Sequence, residues 1–317
     1  MTKIAVVGVG SFGQQHARVL ASLSEVELVA VVDSNTRRAI EIADKYNCEA
    51  LTEIHTLPGK IDAAIIAVPT VLHQNIGVAL LKSGIDILVE KPIAPNLAAA
   101  DNLIETAQKE DRILQVGHLE RFNPAVEAAQ QVATLPLFFE VHRMSPFSPR
   151  SLDVDVILDL MIHDLDILLS MIDSDLKRLE ATGIAILSVK PDIASVRLVF
   201  KNGCVANLSA SRVSVEKVRK LRFFQPRQYI SVDYTRQDGV IHEVSESKKI
   251  VFQPLETAPG EPLTRQLKSF VNCVKTRKRP RVSGDDARKA LSLALKIVEI
   301  MEKHSGIVSK TLTEKRQ

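Results

Sequence analysis

The feature that most narrows what this chain can fold into is the run Gly8-Val-Gly-Ser-Phe-Gly13. It lies between an apolar, β-branched stretch ending at Val7 and a helical pattern carrying Ala17, Val19, Leu20 and Leu23. Glycine at position 8 permits a tight turn. At position 10 it lets backbone approach a diphosphate, and at position 13 it lets the next helix pack close to the strand. Such a run alone is weak evidence. Its flanks make it specific, as does Asp33, which closes a second strand (Val26 to Val32) 20 residues after Gly13. A carboxylate there accepts hydrogen bonds from an adenosine ribose diol and repels a 2′-phosphate, which favours NAD over NADP. Arg37 and Arg38 are near enough to pair with such a phosphate, so NADP stays open. Cofactor contacts are expected from Gly8, Gly10, Ser11, Phe12, Gly13, Asp33, Ser34 and Arg38. The competing reading is a glycine-rich turn with no ligand.

Strand and helix signals alternate through the first 120 residues. Asp62-Ala-Ala-Ile-Ile-Ala-Val, Asp86-Ile-Leu-Val and Arg112-Ile-Leu-Gln-Val read as strands, and residues 36–46, 71–83 and 97–110 as helices. Strands apolar on both faces and joined by helices predict a parallel sheet covered on both sides, an α/β Rossmann domain over 1–120. The pattern then changes. A helix at 123–132, a strand near 137–142 and a long helix from Asp155 precede successive strands with turn signals at Lys201-Asn-Gly, Pro226 and Gln237-Asp-Gly. Ala194-Ser-Val-Arg-Leu-Val-Phe and Arg227-Gln-Tyr-Ile-Ser-Val-Asp-Tyr alternate, as suits a large, mostly antiparallel open sheet. With helices at 262–275 and 285–303, residues 121–317 form an α+β domain.

Charge and cysteine usage exclude several function classes. Lys+Arg 41 against Asp+Glu 38 gives +3, too slight a surplus to argue for nucleic acid. Cys48, Cys204 and Cys273 are scattered and read as reduced, structural residues. Residues 3–8 read as a buried first strand rather than an apolar leader, so no cleavable signal segment is expected. Val154 to Ile172 is the most apolar long stretch, but Asp155, Asp159, His163, Asp164 and Asp166 interrupt it, so it fails as a membrane span. A soluble, cytoplasmic protein is expected.

Two further constellations carry chemistry. Val89-Glu-Lys-Pro-Ile93 ends a parallel strand, which sets Glu90 and Lys91 at the crevice where such sheets bind ligands. An ammonium there relays a proton or polarises an oxygen, and the competing reading is a surface lysine. The segment from Asp155 to Ile172 is apolar almost all round, as a buried helix would be. Its Asp155, Asp159, His163 and Asp166 recur at spacings of four, four and three, one polar stripe. Asp159 and His163, one turn apart, suit general base work on a substrate hydroxyl. A satisfied structural pair is the alternative, and no third His or Cys ligand completes a metal pattern. At the domain junction, Gly117-His-Leu-Glu-Arg-Phe-Asn-Pro124 offers His118, Arg121 and Asn123 to a cleft, or serves as an ordinary hinge. The basic run Lys275-Thr-Arg-Lys-Arg-Pro-Arg281 reads as a solvated last turn of a helix.

Taken together, GVGSFG, AVPTVLH (Ala67 to His73), VEKP and DLMIHDLD (Asp159 to Asp166) resemble the Gfo/Idh/MocA family of oxidoreductases along essentially the whole chain. The resemblance implies that Lys91, Asp159 and His163 surround a hydroxyl being oxidised. It implies a cofactor spanning the glycine turn, Val68, Pro69, His73, Glu90 and Lys91, and a homodimer or homotetramer built on the open sheet. Asp153-Val-Asp-Val and Met161 stand where the family often has glycines, which alters the pocket floor. Gly117 to Ala125 and Ser145 to Arg150 look most like the branch that oxidises the 3-hydroxyl of UDP-N-acetylglucosamine, supplying a 3-keto sugar for a diamino-sugar lipid A. Substrate contacts are then expected from Lys91, His118, Arg121, Asn123, Arg150, Asp159 and His163, with no metal. A dehydrogenase of inositol, another polyol or a hexose is the alternative. A non-catalytic cofactor-binding regulator comes next, and a scaffold protein last.

Overall fold

Two sheets organise the chain. The structure is a computed structural model that describes residues 1–147, 154–258 and 260–314, with backbone only over 305–314. The first sheet is built from β1 (Thr2–Val7), α1 (Gly13–Ser22), β2 (Val26–Val32), α2 (Thr36–Tyr46), β3 (Glu49–Leu51), β4 (Ala63–Ile66), α3 (His73–Lys82), β5 (Asp86–Glu90), α4 (Leu97–Lys109) and β6 (Leu114–Gly117). Its six strands are parallel in the order β3-β2-β1-β4-β5-β6, the Rossmann order, as expected. β4 and β5 are buried along their whole length, which is why they read as unbroken apolar runs.

Register sets up the site. Val7 is paired with Val32 on one side and with Ile66 on the other. Gly8, Asp33 and Ala67 therefore leave the sheet at one level. Glu90 and Gly117 are likewise partners across β5 and β6.

The second sheet follows α5 (Pro124–Val132). Its strands are β7 (Phe138–Met144), β8 (Leu176–Ile184), β9 (Ile193–Phe200), β10 (Val205–Ser211), β11 (Val218–Gln225), β12 (Gln228–Asp233), β13 (Asp238–Val244) and β14 (Ile250–Pro254), with α6 (Ile162–Met171) between β7 and β8. The order is β14-β13-β12-β11-β7-β10-β9-β8, antiparallel except where β7 meets β10. Phe139, Val141, Leu198, Leu208, Leu221 and Ile230 fill a core shared with Ile162, Leu165 and Leu168 of α6. The opposite face bears a row of rings, Phe138, Phe224, Tyr229, His242 and Phe252, one from each of five neighbouring strands. Their centroids lie 5.8, 4.8, 5.0 and 4.5 Å apart in turn.

The chain closes with α7 (Pro262–Thr276) and α8 (Gly284–Glu314), the latter longer than the 285–303 expected. Two compact units result: Met1–Phe122 with Glu261–Arg288, and Asn123–Gly260 with Lys289–Gln317. Residues 261–288, read from sequence as part of the second domain, thus group with the first. Leu263, Leu267 and Phe270 of α7 share one core with Ile4, Leu20 and Leu88. The basic run 275–281 is not a simple solvated turn. Arg277 adopts φ 57° and pairs with Asp86, while Arg281 lies 5.5 Å over the Phe122 ring.

Candidate active site

Gly8 is the pivot of the turn after β1. Its φ is +86°, its N–H donates to Val32 O at 2.7 Å, and a Cβ on it would stand 2.7 Å from Ala67 O. A Cβ on Gly13 would strike Gly8 O at 1.9 Å, so α1 starts as close to the strand as backbone allows. Gly10 faces open space, with nothing within 4 Å of its Cβ position. Backbone crowded on one side and bare on the other is what a diphosphate needs. Ser11 and Phe12 are exposed at this turn.

Asp33 is held ready by backbone. Its Oδ2 accepts the Val9 N–H at 3.0 Å and its Oδ1 the Asn35 N–H at 2.9 Å, with Arg38 Nη1 3.5 Å from Oδ2. Asp33, Ser34 and Arg38 join Gly8, Gly10, Val68 and Pro69 in lining a cavity of about 590 Å³. Thr52, Glu53, Ile54, Leu72 and Ile76 line it too, and the sequence reading missed them. A third parallel strand ending at Leu51 was the available signal, but three residues are too few to show a strand period. A largely apolar cavity lined by the Asp33 carboxylate and by open glycine backbone fits NAD.

His73 braces the loop that carries two of these lining residues. It is 1% exposed, and its Nδ1 and Nε2 lie 3.0 and 2.9 Å from the carbonyls of Pro92 and Val68, tying the Val68-Pro69 loop to the segment after β5. Burial holds its pKa below the ordinary histidine value, against the opposing pull of the two carbonyls and Glu90.

Three elements converge on Glu90. His16 of α1, fully buried, brings Nε2 to 2.8 Å from Glu90 Oε1. Gly117 leaves room for the carboxylate, and Lys91 N–H donates to Oε2 at 3.3 Å. The Lys91–Pro92 peptide is cis, and Lys91 is half-buried. His118 is 1% exposed. Burial, then the positive charges of Lys91 and Arg121, push its pKa down to about 3, so it stays neutral at working pH.

The second unit holds Asp159 and His163, both half-buried. The expected continuous α-helix from Asp155 is corrected here. Ile157–Met161 winds as a π-helix, and regular α-helix begins only at Ile162. Asp155 is not part of a stripe. Its Oδ1 accepts the N–H groups of Ile157 and Leu158 at 2.9 and 3.0 Å and so caps the turn. Such turns are rare and cluster at functional sites. Asp164 forms a buried two-bond pair with Arg143 of β7 at 2.6 and 2.9 Å, a fixture the sequence reading passed over.

The remaining expected residues have varied settings. Asn123 caps α5, accepting from Ala125 N–H and donating to Tyr234 O at 3.0 Å. Arg121 is buried and donates to Arg281 O. Arg150 lies outside the described residues. Among the described residues no three His, Cys, Asp or Glu side chains are grouped to hold a metal, and no helix is long and apolar enough to cross a membrane.

Comparison with known proteins adds to this geometry. A family model described as "Oxidoreductase family, NAD-binding Rossmann fold" (GFO_IDH_MocA) matches residues 2–118. The UDP-N-acetylglucosamine 3-dehydrogenase of Acidithiobacillus ferrooxidans is 34% identical over 304 residues, 93% of this chain and 96% of that protein. A crystal form of that enzyme aligns with a TM-score of 0.90 at 33% identity, covering 96% of this chain and 98% of the other. Myo-inositol 2-dehydrogenase of Thermotoga maritima is 26% identical over 96% of this chain and 98% of its own length. Scyllo-inositol dehydrogenase of Lactobacillus casei, solved with NAD(H) and scyllo-inositol, shares the fold at a TM-score of 0.82 and 17% identity, covering 96% of this chain and 97% of the other.

Proposed function

This chain belongs to the Gfo/Idh/MocA family of NAD-binding oxidoreductases, and we propose that the group it oxidises is the 3-hydroxyl of UDP-N-acetylglucosamine. It is a dehydrogenase acting on a sugar hydroxyl. One observation carries the choice of substrate: the likeness to the Acidithiobacillus enzyme runs the length of both chains, in sequence and in backbone. The product is a 3-keto nucleotide sugar, ready for amination towards a diamino-sugar lipid A.

NAD, when bound, supplies the acceptor for the hydride that leaves the sugar carbon. The bare backbone at Gly10 would hold its diphosphate and Asp33 its ribose diol. His163 takes the proton from the sugar oxygen, a role worth roughly 10²–10⁴ in rate for a positioned base. Asp159 orients that imidazole and steadies its positive charge. The Lys91 ammonium stabilises the developing alkoxide. Val68 and Pro69, the first tied to His73, line the same cavity and would pack against the cofactor. His118, Arg121 and Arg150 serve the substrate in this reading.

The enzyme works in the cytoplasm as a homodimer or homotetramer. Support for assembly comes from the ring row on the second sheet, where Phe252 is 67% exposed and sits among exposed Ile250 and Val251.

Absorbance of reduced nicotinamide tests the assignment directly. Protein is mixed with UDP-N-acetylglucosamine and NAD, and separately NADP, with a carbonyl trap to pull an unfavourable equilibrium. Reduction with NAD that disappears in Lys91→Ala and His163→Ala is expected. Silence despite measured NAD binding would overturn this substrate and favour an inositol, as in the Thermotoga relative.

A further inference from the structure

A buried polar contact ties α1 to the end of β5. His16 sits in the first turns of α1, is fully buried, and directs Nε2 at Glu90 Oε1, 2.8 Å away. A carboxylate can only accept, so Nε2 carries the hydrogen. His16 Nδ1 is buried and has no hydrogen-bond partner, so the ring is placed for the Nε2 contact alone. On its other side the Glu90 carboxylate presses on Gly117, where a Cβ would stand 2.6 Å from both oxygens. The carboxylate thus has one position, set by α1 and β6 together. Lys91 follows it directly and donates its own N–H to Oε2. Phe12, at the glycine turn, meets the His16 ring edge-on at 5.0 Å.

We infer that His16 is a positioning residue for the reaction: through Glu90 it fixes a negative charge beside Lys91 and so keeps the Lys91 ammonium charged and in place. This rests on the reading that Lys91 serves the oxidised hydroxyl. Glu90 faces His16 of α1 and acts on His73 of α3 and on His118 after β6, and Lys91, Arg121 and Asp286 of α8 act on His118 as well. Arg121 raises the local positive potential and disfavours a second cation. Glu90 opposes it, acting on both His73 and His118. Removing the hydrogen-bond donor at 16 frees the carboxylate to leave Lys91, whose ammonium then loses protons at lower pH.

The test follows the Lys91 ammonium itself. Side-chain ¹³C-labelled lysine is titrated by NMR in the NAD-loaded protein, the Lys91 signal being assigned by its loss in Lys91→Arg. Wild type is compared with His16→Leu, His16→Gln and Glu90→Gln. The Lys91 midpoint should fall by about one pH unit or more in His16→Leu and Glu90→Gln. It should return close to wild type in His16→Gln, whose amide nitrogen replaces Nε2. The alkaline limb of kcat/KM should move with it. A Lys91 midpoint unchanged in His16→Leu, whatever Glu90→Gln does, overturns the inference. If His16→Leu fails to fold, His16→Met, which also lacks a donor, takes its place in the comparison. The NMR readout needs no sugar, so an inactive wild type whose Lys91 midpoint still responds would reject the substrate and leave this inference standing.

Discussion

Gly117 lacks a side chain where the Glu90 carboxylate needs the space. The two residues are partners across β5 and β6, and a Cβ at 117 would stand 2.6 Å from each carboxylate oxygen. A methyl group there must displace Glu90 or part the strands. Gly117→Ala should therefore lower kcat by about tenfold or more, since small misplacements near reacting groups are costly. NAD affinity, read by a fluorescence titration, should change little, because the cavity that holds Asp33 is lined by other residues. Full turnover in this variant would show that the place of Glu90 is immaterial.

The role proposed for Asp33 on the cofactor can be separated from its grip on its own loop. Asp33→Asn keeps an oxygen to accept from Val9 or Asn35 N–H but loses the charge. A hydrogen bond to a charged group contributes about 1.5–3 kcal/mol. NAD affinity should accordingly fall by about 10- to 100-fold, by isothermal titration. NADP should gain in relative terms, since Arg38 is released from the carboxylate 3.5 Å away. Unaltered preference between the two cofactors would mean that Asp33 does not face the ribose.

Both predictions concern a half of the molecule that was legible in the sequence, for a physical reason. A parallel sheet covered on both sides needs unbroken apolar strands, and a diphosphate turn needs glycine at fixed offsets, so β1, β4, β5 and Gly8 to Gly13 are written in composition alone. The helix Thr36–Tyr46 matches expectation to the residue. Glu53 and Thr52 were invisible because β3 has only three residues. The π-helical turn at Ile157–Met161 is not legible, because an apolar run suits α and π winding alike and the Asp155 cap on Ile157 and Leu158 suits either. The grouping of 261–288 with the first unit was hidden because helix α7 is amphipathic in the same way whichever core it covers.

His118 gives the fold an acid sensitivity of known sign. Its folded pKa is lowered to about 3 from an ordinary value of 6.5. Between those values the unfolded chain binds a proton that the native state refuses, so stability falls as pH drops below the unfolded pKa. One such group costs up to about 1.4 kcal/mol per pH unit, and about 2 kcal/mol between pH 7 and pH 5. Urea midpoints across that range should decline in wild type and flatten in His118→Asn. A slope that is the same in both would assign the acid sensitivity elsewhere.

The ring row on the second sheet makes a claim about assembly. Phe224, Tyr229, His242 and Phe252 touch in sequence across four strands, and Phe252 is 67% exposed. Phe252→Glu would set a charge on the proposed assembly face without disturbing a core, since β14 is exposed along its whole length. Sedimentation should show an oligomer for wild type and a shift towards monomer for the variant. A monomeric wild type would remove the basis for assembly on this face.

The entry to the π-helical turn is clamped from outside, by Asp192. This residue is fully buried and accepts from the N–H groups of Ile186, Leu187 and Ser188 at 2.7, 2.6 and 3.1 Å and from Arg212 Nε at 2.8 Å. Burial alone would raise its pKa, but these donors outweigh burial and hold the carboxyl well below the usual range. Its contribution is therefore present above the unfolded carboxylate pKa and lost as pH falls towards the folded one. Arg212 carries the clamp onward through Nη1 to Val154 O at 2.6 Å, and Val156 N–H donates to Pro191 O at 3.2 Å. Asp192→Asn strands the buried guanidinium, at a cost of about 3 kcal/mol. Because the clamp grips the residues just before Ile157, Asp159 and His163 should lose their fixed place as well. The variant should thus melt earlier and show a lower kcat at temperatures where it is folded, with NAD affinity unchanged because the cofactor cavity belongs to the other unit. A variant that melts earlier yet retains full kcat would confine Asp192 to stability and separate the clamp from the chemistry.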